Sequence, residues 1–390
     1  MSRLDVEMKR VLRNIFEDLH AMPEVGWQEY KTTAYLADVL KQQGFYVKTF
    51  EGSTGLCVEI GDGKELVGLR TDIDGLWQQV DGEFKGVHSC GHDAHMTMAI
   101  GVLFLLQRTL KPNEGRVRVL FQPAEEKGNG ALSFVERGLV DDIRFLFGMH
   151  IRPVQEMVVN TYSPALYHGA ARLIEGIIFG QECHGARPHL GKNTIEIGAS
   201  LVAALSHIHI DPMIPSSVKL TSFQAGNVQN ANTIPGIAHF TIDARSQTNE
   251  GMEQLMSQLQ LAILGVEQAH RAKIEFDTKA TIVAAQVDDT AKQLMRQAII
   301  EVCGVQGLAE DVVTPGGEDF HYYTLKRPSV KATMLGVGCG ATPGLHDPNM
   351  TFQFDGLYPA IEIMTQTMIN ALHFTAQQNK TTDVTLYGEV

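Results

Sequence analysis

Strand-like and helix-like segments alternate in the first part of the chain, and this alternation restricts the fold more than any other sequence feature. Residues 66–70, 116–122 and 145–150 are apolar runs of strand length. Residues 96–110 are too many and too uniformly apolar for a strand, so they predict a helix buried on most sides. Strands that alternate with helices indicate a largely parallel sheet.

Acidic and histidine residues stand where the predicted strands end. Asp72 follows the first strand, Glu125 and Glu126 follow the second, and His150 ends the third. Ligands of open α/β sheets bind beyond the carboxyl ends of the strands. These side chains are therefore candidates for one functional site.

The pattern changes from about residue 172. Strands are predicted at 172–180, 217–223, 237–245 and 273–277, with helices at 194–209 and 251–270. The order β-α-β-β-α-β is the ferredoxin-like arrangement. Because 390 residues exceed one ordinary core, we predict two domains of overall α/β class. A mainly parallel-sheet domain comprises residues 1–171 and 287–390, and an α+β domain is inserted at 172–286.

Composition excludes several classes of protein. A formal charge of −13 argues against nucleic acid or an anionic membrane surface as a partner. The longest apolar run, residues 96–106, is too short to span a bilayer. Acidic residues stand where a signal peptide would have its apolar core. The five cysteines are widely spread without a Cys-x-x-Cys pair, which is typical of reduced thiols. We therefore expect a cytoplasmic protein.

Residues 87–95 place three histidines, a thiol and an acid in one loop before the buried helix, as Val-His-Ser-Cys-Gly-His-Asp-Ala-His. Such density favours metal binding over a set of unrelated structural histidines. Histidine and thiolate ligands suit zinc and similar ions, while carboxylates broaden the choice to manganese.

Glu125 and Glu126 are adjacent carboxylates at the end of an apolar run. Consecutive side chains point in different directions, so one can hold a metal while the other handles a proton. A solvated turn or the start of a helix is the alternative explanation. His150 and His346 add to the histidine signal. With Cys90, His92 and Glu126 they make five candidate ligands, enough for two metals in one site.

The ordered motifs of the chain resemble the M20 metallopeptidases, and more narrowly their amidohydrolase branch, subfamily D. That branch includes hippurate hydrolases, N-acyl amino acid amidohydrolases and the AmhX-type bacterial enzymes. The motifs span almost the whole chain: residues 19–24 (Leu-His-Ala-Met-Pro-Glu), 71–74 (Thr-Asp-Ile-Asp), 88–95, 123–126 (Pro-Ala-Glu-Glu), 148–150 (Gly-Met-His), 318–320 (Glu-Asp-Phe) and 345–348 (Leu-His-Asp-Pro).

The resemblance implies two divalent ions, with zinc or manganese expected and cobalt or nickel as alternatives. It implies that Glu125 is the general base and acid, since a bound dication lowers the pKa of water from about 15.7 toward 7 and a carboxylate can then take its proton. Asp74 is expected to orient a ligand or tune the site, and the role of Asp72 is left open. The implied metal ligands are Cys90, His92, Glu126, His150 and His346.

The inserted domain would then be a lid and dimerisation domain. The resemblance gives His184 the role of stabilising the oxyanion, often from the neighbouring subunit, and Asn232 that of a substrate contact. Arg245 lies on the polar face of an alternating strand, where it could bind a substrate carboxylate or form a surface salt bridge. We therefore expect a homodimer or a dimer-based oligomer.

The expected reaction is cleavage of the amide bond of an N-acyl amino acid or a related small conjugate. Dipeptidase or N-carbamoyl amino acid hydrolase activity and a non-catalytic binding protein are the alternatives. Two departures from the family lie beside the expected cleft: Gly-Leu-Trp-Gln-Gln-Val at residues 75–80 and Ile-Arg-Pro at residues 151–153. These departures leave the identity of the substrate open.

Overall fold

A computed structural model describes residues 3–386, with side chains as far as residue 378. The helices are α1 (Val6–His20), α2 (Tyr30–Gln42), α3 (His92–Thr109), α4 (Gly130–Glu136), α5 (Thr194–Ser206), α6 (Asn249–His270), α7 (Asp289–Cys303), α8 (Tyr322–Lys326) and α9 (Leu357–Leu386). The strands are β1 (Val47–Thr49), β2 (Leu56–Gly61), β3 (Leu66–Asp72), β4 (Leu76–Val80), β5 (Glu83–Val87), β6 (Arg116–Gln122), β7 (Phe145–Pro153), β8 (Tyr162–Ser163), β9 (Leu166–His168), β10 (Ala170–Phe179), β11 (Cys183–His184), β12 (Ser216–Ala225), β13 (Thr233–Ile234), β14 (Ile237–Ser246), β15 (Lys273–Ile282), β16 (Val312–Thr314) and β17 (Lys331–Ala341).

Tertiary contacts divide the chain into two compact units. The first unit comprises Met1–Tyr167, Gln286–Val313 and Asp319–Val390. The second comprises His168–Ala285 and Thr314–Glu318. No helix in the described part of the chain is long and apolar enough to cross a membrane.

The first unit is built on a sheet of order β1-β2-β6-β3-β7-β17-β8. Strands β6, β3, β7 and β17 run parallel to one another. Strands β1, β2 and β8 pair antiparallel with their neighbours at the two sides of the sheet. The mainly parallel character that the sequence predicted is confirmed, and the carboxyl ends of the four parallel strands lie along one edge.

Helix α3 is the buried helix of the first unit. Every residue from Met96 to Leu106 is buried, as the uniformly apolar sequence predicted. The helix begins earlier than predicted, at His92, after Gly91 in the left-handed conformation (φ 84°). The histidine-rich loop therefore includes the first turn of a rigid helix, which fixes the direction of its side chains.

The second unit contains an antiparallel sheet of order β12-β14-β10-β15. Helices α5 and α6 pack on this sheet through a core that includes Ile174, Leu201, Ile242 and Leu259. The succession β10-α5-β12-β14-α6-β15 is the predicted ferredoxin-like arrangement.

A hairpin in the first unit was not predicted. Strands β4 and β5 pair antiparallel, with Leu76 opposite Val87 and Val80 opposite Glu83. Neither strand is fully buried on one face, so the alternation that marks a strand is weak in the sequence. This hairpin carries one of the two departures from the family.

Candidate metal centre

The predicted metal ligands lie together at the carboxyl edge of the parallel strands in the first unit. The turn after β6 carries Glu126, β7 carries His150, and the loop after β17 carries His346. His92 is the first residue of α3, and Cys90 lies in the loop just before it. Residues distant in the chain therefore meet because their strands are neighbours in the sheet.

Two overlapping groups of donor atoms form the centre. The ligand atoms of Cys90, His92 and His150 all lie within 4.8 Å of one another, and so do those of Cys90, Glu126 and His346. Cys90 Sγ is 3.5 Å from His150 Nε2, and His346 Nε2 is 3.4 Å from Glu126 Oε1. Cys90 belongs to both groups, so its thiolate is the donor best placed to serve two ions.

The donor atoms fit divalent metal ions. His92 Nε2 and Glu126 Oε1 are buried without a hydrogen-bond partner in the described part of the chain, and unpaired buried polar atoms are costly. The Nδ1 atoms of the inner histidines are already bonded: that of His92 to Asp74 Oδ1 (3.2 Å) and that of His150 to the Ile151 carbonyl (2.6 Å). The Nε2 lone pair of each ring is then available to bind a metal ion, together with the sulfur of Cys90 and a carboxylate oxygen of Glu126.

The buried environment strongly shifts the pKa values of the candidate ligands Cys90, His92 and His150. It raises the pKa of the Cys90 thiol to about 12, with the Glu126 charge adding to the effect. Burial also lowers the pKa of His150 well below its usual value. For His92, burial is the largest effect and acts downward, but the Asp72 carboxylate, the hydrogen bond to Asp74 and the neighbouring Cys90 together hold the pKa well above the usual value. The thiol is therefore protonated until a cation displaces its proton.

Asp74 connects two of the candidate ligands. Its Oδ1 accepts the hydrogen bond from His92, and its Oδ2 accepts the Glu126 backbone N–H at 3.0 Å. One carboxylate thus fixes both the ring orientation of a histidine and the position of the acidic turn. This arrangement supports the predicted supporting role of Asp74.

We predict that Asp74→Ala lowers metal affinity by about 10–100-fold, the range usual for loss of a residue that orients a ligand. Calorimetric titration of metal-free protein with Zn²⁺ measures the change. Glu83→Ala, which removes an exposed carboxylate of the β4–β5 hairpin, is the control and should bind metal as the wild type does. An unchanged affinity in Asp74→Ala would remove the supporting role from this residue.

Asp72, whose role the sequence left open, forms hydrogen bonds to buried residues beside the candidate ligands. Its Oδ1 is 2.8 Å from His95 Nδ1, and its Oδ2 accepts a hydrogen bond from Arg70 at 2.8 Å. His95 Nε2 in turn accepts the Ile151 N–H at 3.0 Å. Although Asp72, His92 and His95 are close enough to hold an ion, both ring nitrogens of His95 are engaged. We therefore interpret Asp72 and His95 as residues that support the site and not as metal ligands.

A buried polar network connects β3, β6 and Asp319, and only one residue in the sequence signalled it. Arg70 donates to Gln122 Oε1 at 2.9 Å and to Asp319 Oδ1 at 2.8 Å. Asp319 Oδ2 accepts the Ala131 N–H at 2.9 Å. Burial raises the pKa of Asp319 to about 6, although the Arg70 charge acts in the opposite direction. An arginine inside an apolar strand was the one signal for this network.

Glu125, the predicted general base, lies beside the candidate ligands. Its Oε2 is 3.9 Å from His92 Nε2, and its side chain forms a group with those of His92 and Glu126. The preceding Ala124 has a left-handed backbone (φ 54°), which costs an L-residue about 1–2 kcal/mol. The turn therefore holds adjacent carboxylates in a conformation that its own residues do not favour.

Gln78, in the first departure from the family, connects two ligand loops. Its amide nitrogen donates to the His346 carbonyl at 2.7 Å, and its amide oxygen accepts from Ser89 Oγ at 2.8 Å. In the second departure, Arg152 is buried and bonds Glu156 through Nε at 2.8 Å. Gln78 thus supports the centre, and the Arg152 charge is already paired. The sequence missed this role of Gln78 because its partners are distant in the chain.

The remaining predicted residues lie in the second unit. His184 is exposed on β11, where its Nδ1 accepts the Ala186 N–H at 3.0 Å, so a neutral ring carries its proton on Nε2. Asn232 is exposed, and its carbonyl accepts the Gly185 N–H at 2.7 Å. Arg245 Nε bonds Asp243 at 3.0 Å. The structure therefore brings the loops of His184 and Asn232 together, and it places Arg245 in an ion pair.

A cavity of about 480 Å³ adjoins the centre within the first unit. Val25, Leu76, Trp77 and Lys127 contribute to its wall, together with the candidate ligand Glu126. This volume is in the range of small-molecule pockets. A small organic group bound there would lie against Glu126.

Comparison with known proteins decides the family. The sequence profile of peptidase family M20/M25/M40 matches residues 68–370. A probable hydrolase from Synechocystis sp. is 32% identical over 345 residues, which are 84% of this chain and 86% of that protein. The chain belongs to the M20/M25/M40 family. The predicted resemblance is thereby confirmed.

Other relatives of the family agree with this assignment. An N-acetyldiaminopimelate deacetylase from Leuconostoc mesenteroides is 30% identical over 377 residues, covering 90% of this chain and 95% of the relative. The crystal structure of the Bacillus subtilis YXEP protein, described as a dinuclear metal-binding peptidase of the M20 family, has a TM-score of 0.78. It is 25% identical, with 95% of this chain and 99% of that chain covered. As an M20 member, this chain is a metal-dependent amidohydrolase with the predicted fold class.

Proposed function

We propose that the chain is a dinuclear metallohydrolase that releases an amino acid from an N-acyl amino acid or a related small amide conjugate. The observation that carries the proposal is the meeting of Cys90, His92, Glu126, His150 and His346 in two overlapping donor groups with Glu125 alongside. The curated relative that deacetylates N-acetyldiaminopimelate supports an N-acyl amino acid as the substrate class.

The five ligands and Glu125 have separate tasks in this proposal. Divalent ions bound there would polarise the amide carbonyl and acidify water. Zinc and manganese suit the donor set. Glu125 takes a proton from the attacking water and delivers it to the leaving nitrogen, which otherwise would depart as an unstable anion. Asp74 keeps His92 and Glu126 oriented while this proton moves.

A substrate panel tests the proposed reaction. Purified protein loaded separately with Zn²⁺, Mn²⁺ or Co²⁺ is assayed against matched N-acetyl, N-benzoyl and N-carbamoyl amino acids and dipeptides. We expect at least one loaded form to hydrolyse the N-acyl substrates with the highest kcat/KM. Faster cleavage of dipeptides or N-carbamoyl amino acids would show that the proposed substrate class is wrong. Inactivity of every metal-loaded form would contradict the proposed hydrolase reaction.

His184 is proposed as the group that stabilises the oxyanion. Its Nε2 proton makes the neutral ring a hydrogen-bond donor. Loss of one such donor typically costs about 10²–10³-fold in kcat. We therefore expect His184→Ala to lower kcat by that factor while metal content stays normal. His207→Ala, an exposed histidine at the end of α5, should leave kcat unchanged. Full activity in His184→Ala would show that the second unit does not supply this group.

We also propose that the chain acts as a homodimer in the cytoplasm, with the second unit as the dimerisation domain. The family resemblance motivates this assignment, because the oxyanion histidine often comes from the neighbouring subunit. Mass measurement in solution, combined with activity across a dilution series, tests it. A monomer with full activity would contradict a site shared between subunits.

A further inference from the structure

The turn that carries the two glutamates is held by carboxylates from other parts of the first unit. The Ala124 N–H donates to Glu29 Oε1 at 2.8 Å, and the Glu126 N–H donates to Asp74 Oδ2 at 3.0 Å. These two amides flank Glu125. The backbone on both sides of the proposed general base is therefore anchored by a buried acid.

The conformation of Ala124 makes the Glu29 bond important. Ala124 is fully buried with φ 54°, in a region that alanine disfavours. Its carbonyl accepts the Gly130 N–H at 3.2 Å, but its own N–H depends on Glu29. Removing the acceptor would leave a buried donor unpaired in a disfavoured conformation, so the turn should relax.

Glu29 has no equivalent task in its own helix. It stands at the N-cap position of α2, but its side chain makes no capping hydrogen bond. Glu24 serves the first turn instead, since its Oε2 accepts from Thr32 N at 2.8 Å and from Thr32 Oγ1 at 3.0 Å. The other oxygen of Glu29 accepts from Thr54 Oγ1 at 2.7 Å.

Burial raises the pKa of Glu29, and the hydrogen bonds from Thr54 and Ala124 act in the opposite direction. Burying a carboxylate without a cationic partner is costly. A purely structural need at this position would be met by a smaller neutral cap such as serine. The buried acid instead directs one oxygen at the backbone beside Glu125.

We propose that Glu29 is a positioning residue for Glu125, acting through the Ala124 amide; the inference rests on the proposed role of Glu125 as the general base. It does not touch the substrate or the ions. Its effect is to fix the backbone from which the Glu125 carboxylate projects, so that the carboxylate stays in reach of the water it deprotonates.

Three variants of the full-length, metal-loaded protein test the proposal. Glu29→Ala removes the acceptor of the Ala124 N–H. Glu29→Gln keeps an acceptor oxygen for Ala124 and offers an amide N–H to Thr54 Oγ1. Glu24→Ala is the matched control, because it also removes two hydrogen bonds near α2 but none to the turn.

The kcat of each variant should depend on whether the Ala124 N–H keeps a hydrogen-bond acceptor. Because a misplacement of about 1 Å can cost 10²-fold, we expect kcat of Glu29→Ala to fall by about 30–100-fold with KM and metal content near normal. Glu29→Gln should recover most of this loss, and Glu24→Ala should keep the wild-type kcat. Equal losses in Glu29→Ala and Glu24→Ala, or no rescue by glutamine, would overturn the proposal.

Hydrogen exchange gives a readout that does not depend on turnover. Mass spectrometry follows exchange in a peptide covering residues 121–130 of each metal-loaded variant. We expect faster exchange in Glu29→Ala alone, with Glu29→Gln and Glu24→Ala protected like the wild type. Unchanged protection in Glu29→Ala would overturn the positioning role. If protection changes as expected but Glu125→Gln retains turnover, the proposed function fails while the anchoring of the turn stands.

Discussion

Glu125→Gln is expected to lose turnover by about 10²–10⁴-fold in kcat, the usual contribution of a general acid–base group. Glutamine has nearly the same shape but cannot accept a proton from water. Glu125 also lies within ligand distance of His92 and Glu126, but the proposal gives it the proton-transfer role and no ligand role, so the variant should bind metal with wild-type stoichiometry. Steady-state kinetics and metal analysis by plasma emission measure the two properties on the same sample.

The neighbouring residue supplies the contrast for this experiment. Glu126→Gln changes an adjacent carboxylate with the same chemistry, but Glu126 lies among the proposed ligands. We therefore expect reduced metal affinity in Glu126→Gln and normal affinity in Glu125→Gln. Surviving activity in Glu125→Gln would show that the base is misassigned, and loss of metal from it would show that Glu125 is a ligand.

Cys90→Ala is expected to abolish activity at micromolar metal and to weaken binding of both ions, because Cys90 is common to the two donor groups. His346→Ala should weaken one ion more than the other, since His346 belongs to one of these groups. Titration of metal-free protein with Zn²⁺ separates the two cases. Cys57→Ala, which removes another buried cysteine of the first unit, is the matched control.

The pH dependence of metal binding adds an independent test of Cys90. Burial raises the pKa of its thiol to about 12 in the metal-free protein, so binding must release a proton at all ordinary pH values. Wild-type affinity should then rise with pH from 6 to 9, more steeply than that of Cys90→Ala. Parallel slopes, or unchanged binding in Cys90→Ala, would contradict thiolate ligation.

The ends of the strands can be recognised in the sequence, and they predicted where the candidate metal centre lies. Apolar runs that end at or shortly before Asp72, Glu126 and His150 indicate both the strands and the edge of the sheet where these side chains lie. His346 was harder to place, since its loop has little pattern, and it entered through its histidine and the family motif. All five proposed ligands could therefore be named from the sequence without the structure.

The supporting residues were less accessible to sequence reasoning. Glu29 and Gln78 act through hydrogen bonds to residues that are distant in the chain, so no local pattern marks them. The roles of Asp72 and Asp74 also depend on which oxygen meets which partner, which the fold alone determines. The first turn of α3 escaped detection because His92–His95 is buried but polar, whereas burial is read from apolar residues.

The central claim is that five distant side chains bind two ions with Glu125 beside them. Crystals of the manganese- or zinc-loaded protein, measured at the absorption edge of the metal, test it most directly. The account predicts two anomalous peaks, bounded by Cys90, His92, Glu126, His150 and His346, with the Glu125 carboxylate facing the space between them. A single peak, or an ion held by Asp72 and His95 instead, would contradict it.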